Sequence, residues 1–132
     1  MPTFSESAVQ TAAIVIAIAQ AGLVVAMAYW ASGGRRWLHS HWGGFYDELP
    51  IRLRISDAVS GTVFAIGIIV AVVQGWSADP PGYLTAVAWA FGGLLGISGV
   101  MNLASSSKYE RFVFAPLAIV LALCWIVVAR GG

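Results

Sequence analysis

The chain has 132 residues, of which 59% are apolar and only 10% charged, with a net charge of +1. Water-soluble domains carry about 25% charge, so this composition excludes an ordinary soluble enzyme, and the near-neutral balance excludes a nucleic-acid surface. Cys124 is the single cysteine, which rules out an intrachain disulfide, a CxxC redox pair and the chemistry of thiol-oxidising four-helix membrane enzymes.

The length suits one domain, and the mean hydropathy of +0.82 makes that domain an integral membrane one. Crossing ~30 Å of hydrocarbon takes about 20 apolar residues. Four runs meet that need, and the expected spans are 8–31, 55–75, 83–103 and 112–129. The first is much longer than a signal-peptide core and is followed by Gly-Gly-Arg-Arg, so a retained helix is expected. Thr3 and Glu6 have capping-box spacing. Within the run, Gln10, Ala13, Ala17 and Gln20 fall on one face by the 3.6-residue period, and that face should meet protein rather than lipid.

Ser32-Gly33-Gly34 closes the first helix. The polar segment Ser32 to Ser56, with Asp57 at its edge, and the shorter Ser105 to Arg111 together hold Arg35, Arg36, Arg52, Arg54, Lys108 and Arg111, leaving only Arg130 elsewhere. They also hold His39, His41, Asp47, Glu48 and Glu110. The mixture of charge with Trp37, Trp42, Phe45 and Tyr46 suits the headgroup layer, as a short surface helix or an irregular loop broken at Gly43-Gly44. Pro50 suits the start of the second helix. Arg52 and Arg54 sit at its mouth, where they can snorkel outward, and Asp57 lies a turn deeper.

Asp79-Pro80 is expected to cap and open the third helix. In that helix Ala88, Gly92, Gly96 and Gly99 form a small-residue face suited to close helix packing, with a weaker counterpart in Gly67, Ala71 and Gly75. Ser107 and Glu110 have capping-box spacing at the start of the fourth helix, and Pro116 should kink that helix or widen its first turns. The expected fold is all-α, a four-helix transmembrane bundle with antiparallel neighbours. Because basic residues stay cytoplasmic, both charged loops are expected inside and both termini outside, in the cell membrane.

Two blocks of residues resemble a group of small four-helix bacterial membrane proteins, common in actinobacteria and described as uncharacterised. One is Trp42-Gly43-Gly44, Leu49-Pro50 and Leu53-Arg54-Ile55; the other is Met101-Asn102, Ser105, Ser107, Glu110-Arg111 and Pro116. The likeness spans roughly residues 22 to 128. It implies the fold and the membrane location, and it brings no activity. Such relatives tend to carry a small residue where this chain has Asp57.

A carboxylate in a spanning segment costs about 2.5–3.5 kcal/mol at the helix centre. Asp57 is nearer the interface, and pairing with Arg52, Arg54, Lys108 or Arg111 is the simplest expectation; a proton or cation site is the functional one. Arg52, Arg54, Asp57, Asn102, Ser107, Glu110 and Arg111 are expected to gather as an inner polar cluster able to hold a lipid phosphate. His39-x-His41 with Asp47 and Glu48 is a weak metal signal without a third histidine or a cysteine partner. No catalytic residues, cofactor or metal are therefore assigned.

Three function classes remain. One is a non-enzymatic accessory subunit, binding a larger membrane protein through the third helix's glycine face. Another is a homo-oligomeric transporter, channel or lipid-binding protein using the inner cluster; small multidrug transporters of this size use a central acid in their first helix, where this chain has Gln20. The last is a membrane enzyme, for which no nucleophile–base pair is visible. The partners expected in common are the lipid bilayer and either a larger membrane protein or further copies of the chain, with no nucleic acid.

Overall fold

The computed structural model describes residues 4–131. It contains α1 (Glu6–Ala31), α2 (Ile51–Trp76), α3 (Tyr83–Leu103) and α4 (Ala115–Gly131), the last continuing a π-helical turn at Glu110–Phe114. All four helices, α4 taken with its π turn, are long and apolar enough to cross a membrane. The molecule is an all-α bundle of four such helices. At about 1.5 Å per residue, the 26 residues of α1 and of α2 exceed the hydrocarbon thickness.

The helix ends follow from local chemistry. Thr3 lies outside the described residues, and Ser5 is the cap of α1: its hydroxyl accepts from Ala8 N–H at 3.2 Å, with Glu6 next to the positive end of the helix dipole. At the other end Gly33 takes φ +99°. Its N–H reaches Trp30 O, and the Gly34 N–H reaches Tyr29 O, both at 3.0 Å, the paired bonds of a Schellman ending. Pro50 stands immediately before α2, and its carbonyl accepts from Leu53 and Arg54 N–H.

Two expected ends are corrected. α3 starts at Tyr83, not at Pro80. Pro81 drives Pro80 away from helical backbone, so the helix forms only beyond both prolines. Ser107 does cap the last helix, its hydroxyl accepting from Glu110 N–H at 3.4 Å. The return half of the box is not made with Ser107: the Glu110 carboxylate bonds Gly43 N–H and Ser105 instead. Downstream, the Ala115 N–H donates to Glu110 O across the π turn. This widened turn lies directly before Pro116, which has no N–H to continue an α ladder.

Laterally the helices follow the order α2, α1, α4, α3. α1 packs along α2, α3 packs along α4, and α1 joins the pairs through α4, while α2 and α3 touch far less. The core consists of Ala13, Ile16, Ala71, Ala88, Leu121, Trp125 and Val128 among others, with the Phe91 and Trp125 rings stacked at 4.6 Å. Small residues allow this approach. On α3, Ala88, Gly92 and Gly99 are buried; Gly92 and Gly99 lie against Ala122, Ile126, Ala115 and Ile119 of α4. Gly96 has nothing within 4 Å of an added Cβ, so it does not belong to that packed face. Large outward residues such as Ile18, Val25, Ile69 and Ile97 suit lipid. With lipid outside, van der Waals fit rather than the hydrophobic effect holds helices together.

Candidate functional site

The charged end is built by the loop after α1. A small core of Trp30, Leu38, Leu49 and Leu53 pulls this loop back onto the bundle, and Trp30 Nε1–H donates to Arg36 O at 3.0 Å. Two 3-10 turns, Leu38–Ser40 and Trp42–Gly44, flank an extended His41. Trp37 and Trp42 have φ of 61° and 50°, a left-handed backbone uncommon for bulky residues. Gly44 has φ +78°, and a Cβ there would lie 2.8 Å from His39 O, so this corner needs glycine. The reversal turns His41 and Trp42 inward, toward α2.

Their target is Asp57, which is 1% exposed. His41 Nε2 lies 2.8 Å from Asp57 Oδ1, and Trp42 Nε1–H donates to the same oxygen at 3.1 Å. The His41 ring is held in place by stacking on Trp30, with centroids 4.0 Å apart. Asp57 Oδ2 is buried and has no hydrogen-bond partner. A buried acceptor left unpaired forfeits about 1–3 kcal/mol, more when charged, and so invites a donor.

The second charged segment locks the loop from the other side. Glu110 Oε1 accepts from Gly43 N–H at 2.6 Å and from the Ser105 hydroxyl at 2.9 Å. The Ser107 hydroxyl donates to His39 O at 2.7 Å, and the Ser106 hydroxyl to Gly43 O at 3.1 Å. His39 meets the edge of Tyr109. The two histidines thus serve different partners, and among the described residues no group of three His, Cys, Asp or Glu could hold a metal.

A cavity of about 260 Å³ lies beneath this lock. Its polar wall includes Ser40, His41, Trp42, Asp57, Asn102 and Glu110; Ser60 and Ser98 lie on α2 and α3; Leu23, Phe64, Leu95, Leu117 and Ala118 make its apolar wall. It draws on all four helices. The α2–α3 side of the bundle is the weakly packed one, and Gly96 on α3 has open space beside it.

Of the expected inner cluster, Asp57, Asn102 and Glu110 share the cavity, and Ser107 supports the lock above it. The arginines do not pair with Asp57. Arg54 Nε–H donates to Ala31 O at 3.0 Å, where the negative end of the α1 dipole attracts a cation. Arg52 is exposed. The Arg111 guanidinium lies 5.1 Å from the Phe112 ring centroid. Sequence reasoning missed Trp42 and His41 as the partners of Asp57, and Trp30 as their support. The available signal was Trp42-Gly43-Gly44 itself, a tight corner beside a donor-bearing ring.

Gln20, by contrast, sits deeper in a closed network. Its Oε1 accepts from Trp125 Nε1–H at 2.7 Å, and its Nε2–H donates to Phe64 O at 2.9 Å. Gln10 similarly reaches Gly75 O at 3.1 Å, so the first helix's glutamine face does meet protein.

Comparison with protein-family models, with curated proteins and with solved structures gives no match.

Proposed function

We propose that this chain is a multi-pass protein of the cell membrane that binds a small amphiphile, head group at Asp57 and apolar part toward Leu95 and Leu117, entering between α2 and α3. The observation that carries this reading is a cavity with a largely apolar wall that Asp57, buried and with Oδ2 unpartnered, lines together with the other polar groups of the loop. Polar groups fixed at one end of an apolar pocket are the usual form of a small-molecule site. Binding rather than bond-making chemistry fits the residues. The His41 Nε2 contact goes to Asp57, and no described serine hydroxyl is bonded to its ring, so the serines near it have no activating base.

The six basic residues of the two polar segments put this end on the cytoplasmic side, with both termini outside. A C-terminal reporter active only in the cytoplasm would reverse that orientation. The accessory-subunit reading has less support, because Ala88 is already buried and Gly92 and Gly99 are covered by α4 of the same chain.

The test is gentle extraction into phosphatidylcholine nanodiscs followed by native mass spectrometry, comparing the native chain with Ser98→Phe. A small amphiphile retained by the native chain and lost from the variant supports the proposal. Retention by both sinks it. A larger protein bound stoichiometrically by both would restore the accessory-subunit reading.

A further inference from the structure

We infer that the head group taken by this cavity is a protonated amine, carried on an apolar chain; the inference rests on the amphiphile-binding reading above. The first argument is charge. The titratable groups on the cavity wall are Asp57, Glu110 and His41, and the wall contains no lysine or arginine. The wall thus presents two carboxyl groups against one histidine and no fixed cation. None of the nearby cations lines the cavity: Arg54 donates to Ala31 O, the Arg111 guanidinium lies beside the Phe112 ring with its buried Nε unbonded, and Arg52 and Lys108 are exposed. In surroundings of low dielectric an uncompensated carboxylate strongly favours an incoming cation. An anionic head group would be repelled, which removes the lipid-phosphate role expected from the arginines.

The second argument is hydrogen bonding. Asp57 Oδ1 already faces two ring nitrogens, whereas Oδ2 has no partner. A carboxylate oxygen can only accept. An ammonium N–H supplies the missing donor and the compensating charge together, where a hydroxyl supplies only the donor. The third argument is the aromatic lining. Trp30, Trp42, Phe64 and Phe114 border the same cavity, and aromatic faces attract cations, most strongly where water is excluded. At about 260 Å³ the cavity falls just below the ~300–1,000 Å³ of common ligand pockets. It therefore takes the ammonium and the first part of a chain, the rest leaving between α2 and α3.

The experiment measures saturable binding of radiolabelled dodecylamine to the full chain in phosphatidylcholine nanodiscs, against empty nanodiscs. Dodecanol and dodecyl sulfate are the neutral and anionic controls. Dodecylamine should bind about tenfold or more tightly than dodecanol, the usual advantage of a charge-assisted hydrogen bond, and dodecyl sulfate should not bind. Asp57→Asn should bring dodecylamine affinity down to about that of dodecanol, with the helical circular dichroism and melting transition of the variant reporting that it is folded. Glu110→Gln should lower dodecylamine affinity by a smaller factor, an independent check on the wall charge should Asp57→Asn fail to fold.

Equal binding of dodecanol and dodecylamine overturns the amine and leaves the amphiphile reading standing. Saturable binding of none of the three overturns both. Repeating the measurement in phosphatidylethanolamine nanodiscs separates the sources of the ammonium. Loss of dodecylamine binding there assigns it to a lipid head group, and unchanged binding assigns it to a free amine; either result upholds the proposal.

Discussion

Gln20 and Asp57 are both polar, both lie within spanning helices and both are almost fully buried, yet the bundle treats them in opposite ways. Gln20 is 0% exposed and both ends of its amide are used, by Trp125 from across the bundle and by Phe64 O from α2. Asp57 has two donor-bearing rings at one oxygen and none at the other, and a cavity beside it. Burial alone therefore does not mark a functional residue. A buried polar group whose hydrogen bonds are complete is part of the packing, and one left incomplete beside space is where a ligand can add binding energy.

The comparison can be tested first where packing is tightest. Trp125→Ala removes a fully buried ring that stacks on Phe91 and bonds Gln20, and should cost about 3–5 kcal/mol. Steric-trapping equilibria in bicelles would measure it; a loss under ~1 kcal/mol would show the closed network to be loosely packed. Gln20→Leu should cost about 1–3 kcal/mol by orphaning Trp125 Nε1–H. Adding Trp125→Phe should cost less than its single effect, with a coupling of about 0.6–1.7 kcal/mol, the range of membrane hydrogen bonds.

The α3 stripe gives a paired prediction. A Cβ at Gly99 would lie 2.8 Å from Ile119 Cγ1 and 3.4 Å from Ala115 O, so Gly99→Ala should destabilise by about 1–3 kcal/mol. Gly96→Ala meets open space and should stabilise by up to about 1 kcal/mol through helix propensity. Similar losses at both positions would mean that α2 and α3 close over Gly96 in the bilayer.

Asp57→Asn sharpens the comparison directly. The asparagine oxygen can still accept from Trp42 and from His41 where Asp57 Oδ1 does, so stability should change by about 1 kcal/mol or less. A loss as large as that of Gln20→Leu would make Asp57 another structural residue. The smallest effect belongs to the exposed ion pair Arg35–Glu48, at 3.0 Å with both side chains about two-thirds exposed (67% and 69%). Arg35→Ala should change stability by about 0–1 kcal/mol, and added salt should erase even that.

Much of this architecture was legible because it is local. The four apolar runs, the glycine ending after Ala31 and the widened turn before Pro116 each depend on a few neighbouring residues. Gln20 could be placed on a protein-facing side because its spacing from Gln10 and Ala13 follows the helical period. Asp57 could be singled out by its place in an apolar run. Its partners could not be named that way. Arg54 is close in sequence and opposite in charge, but the helix directs it to Ala31 O, and the Asp57 donors come from a loop that must first fold back. The glycine stripe was only partly legible for a similar reason: spacing puts Gly96 with Gly92 and Gly99, but only the packed structure shows that Gly92 and Gly99 meet α4 and Gly96 does not.

The sequence by itself determined that four helices are long and apolar enough to cross a membrane and that charge gathers at one end of them. Both follow from transfer free energies that add along the chain, whatever the helices do to one another. Only the tertiary structure decided that Gln20 is satisfied and Asp57 is not, and that α2 and α3 stand apart around a cavity. Those outcomes depend on helix rotation and on the left-handed corner at Trp42, which brings residues distant in sequence within hydrogen-bond reach.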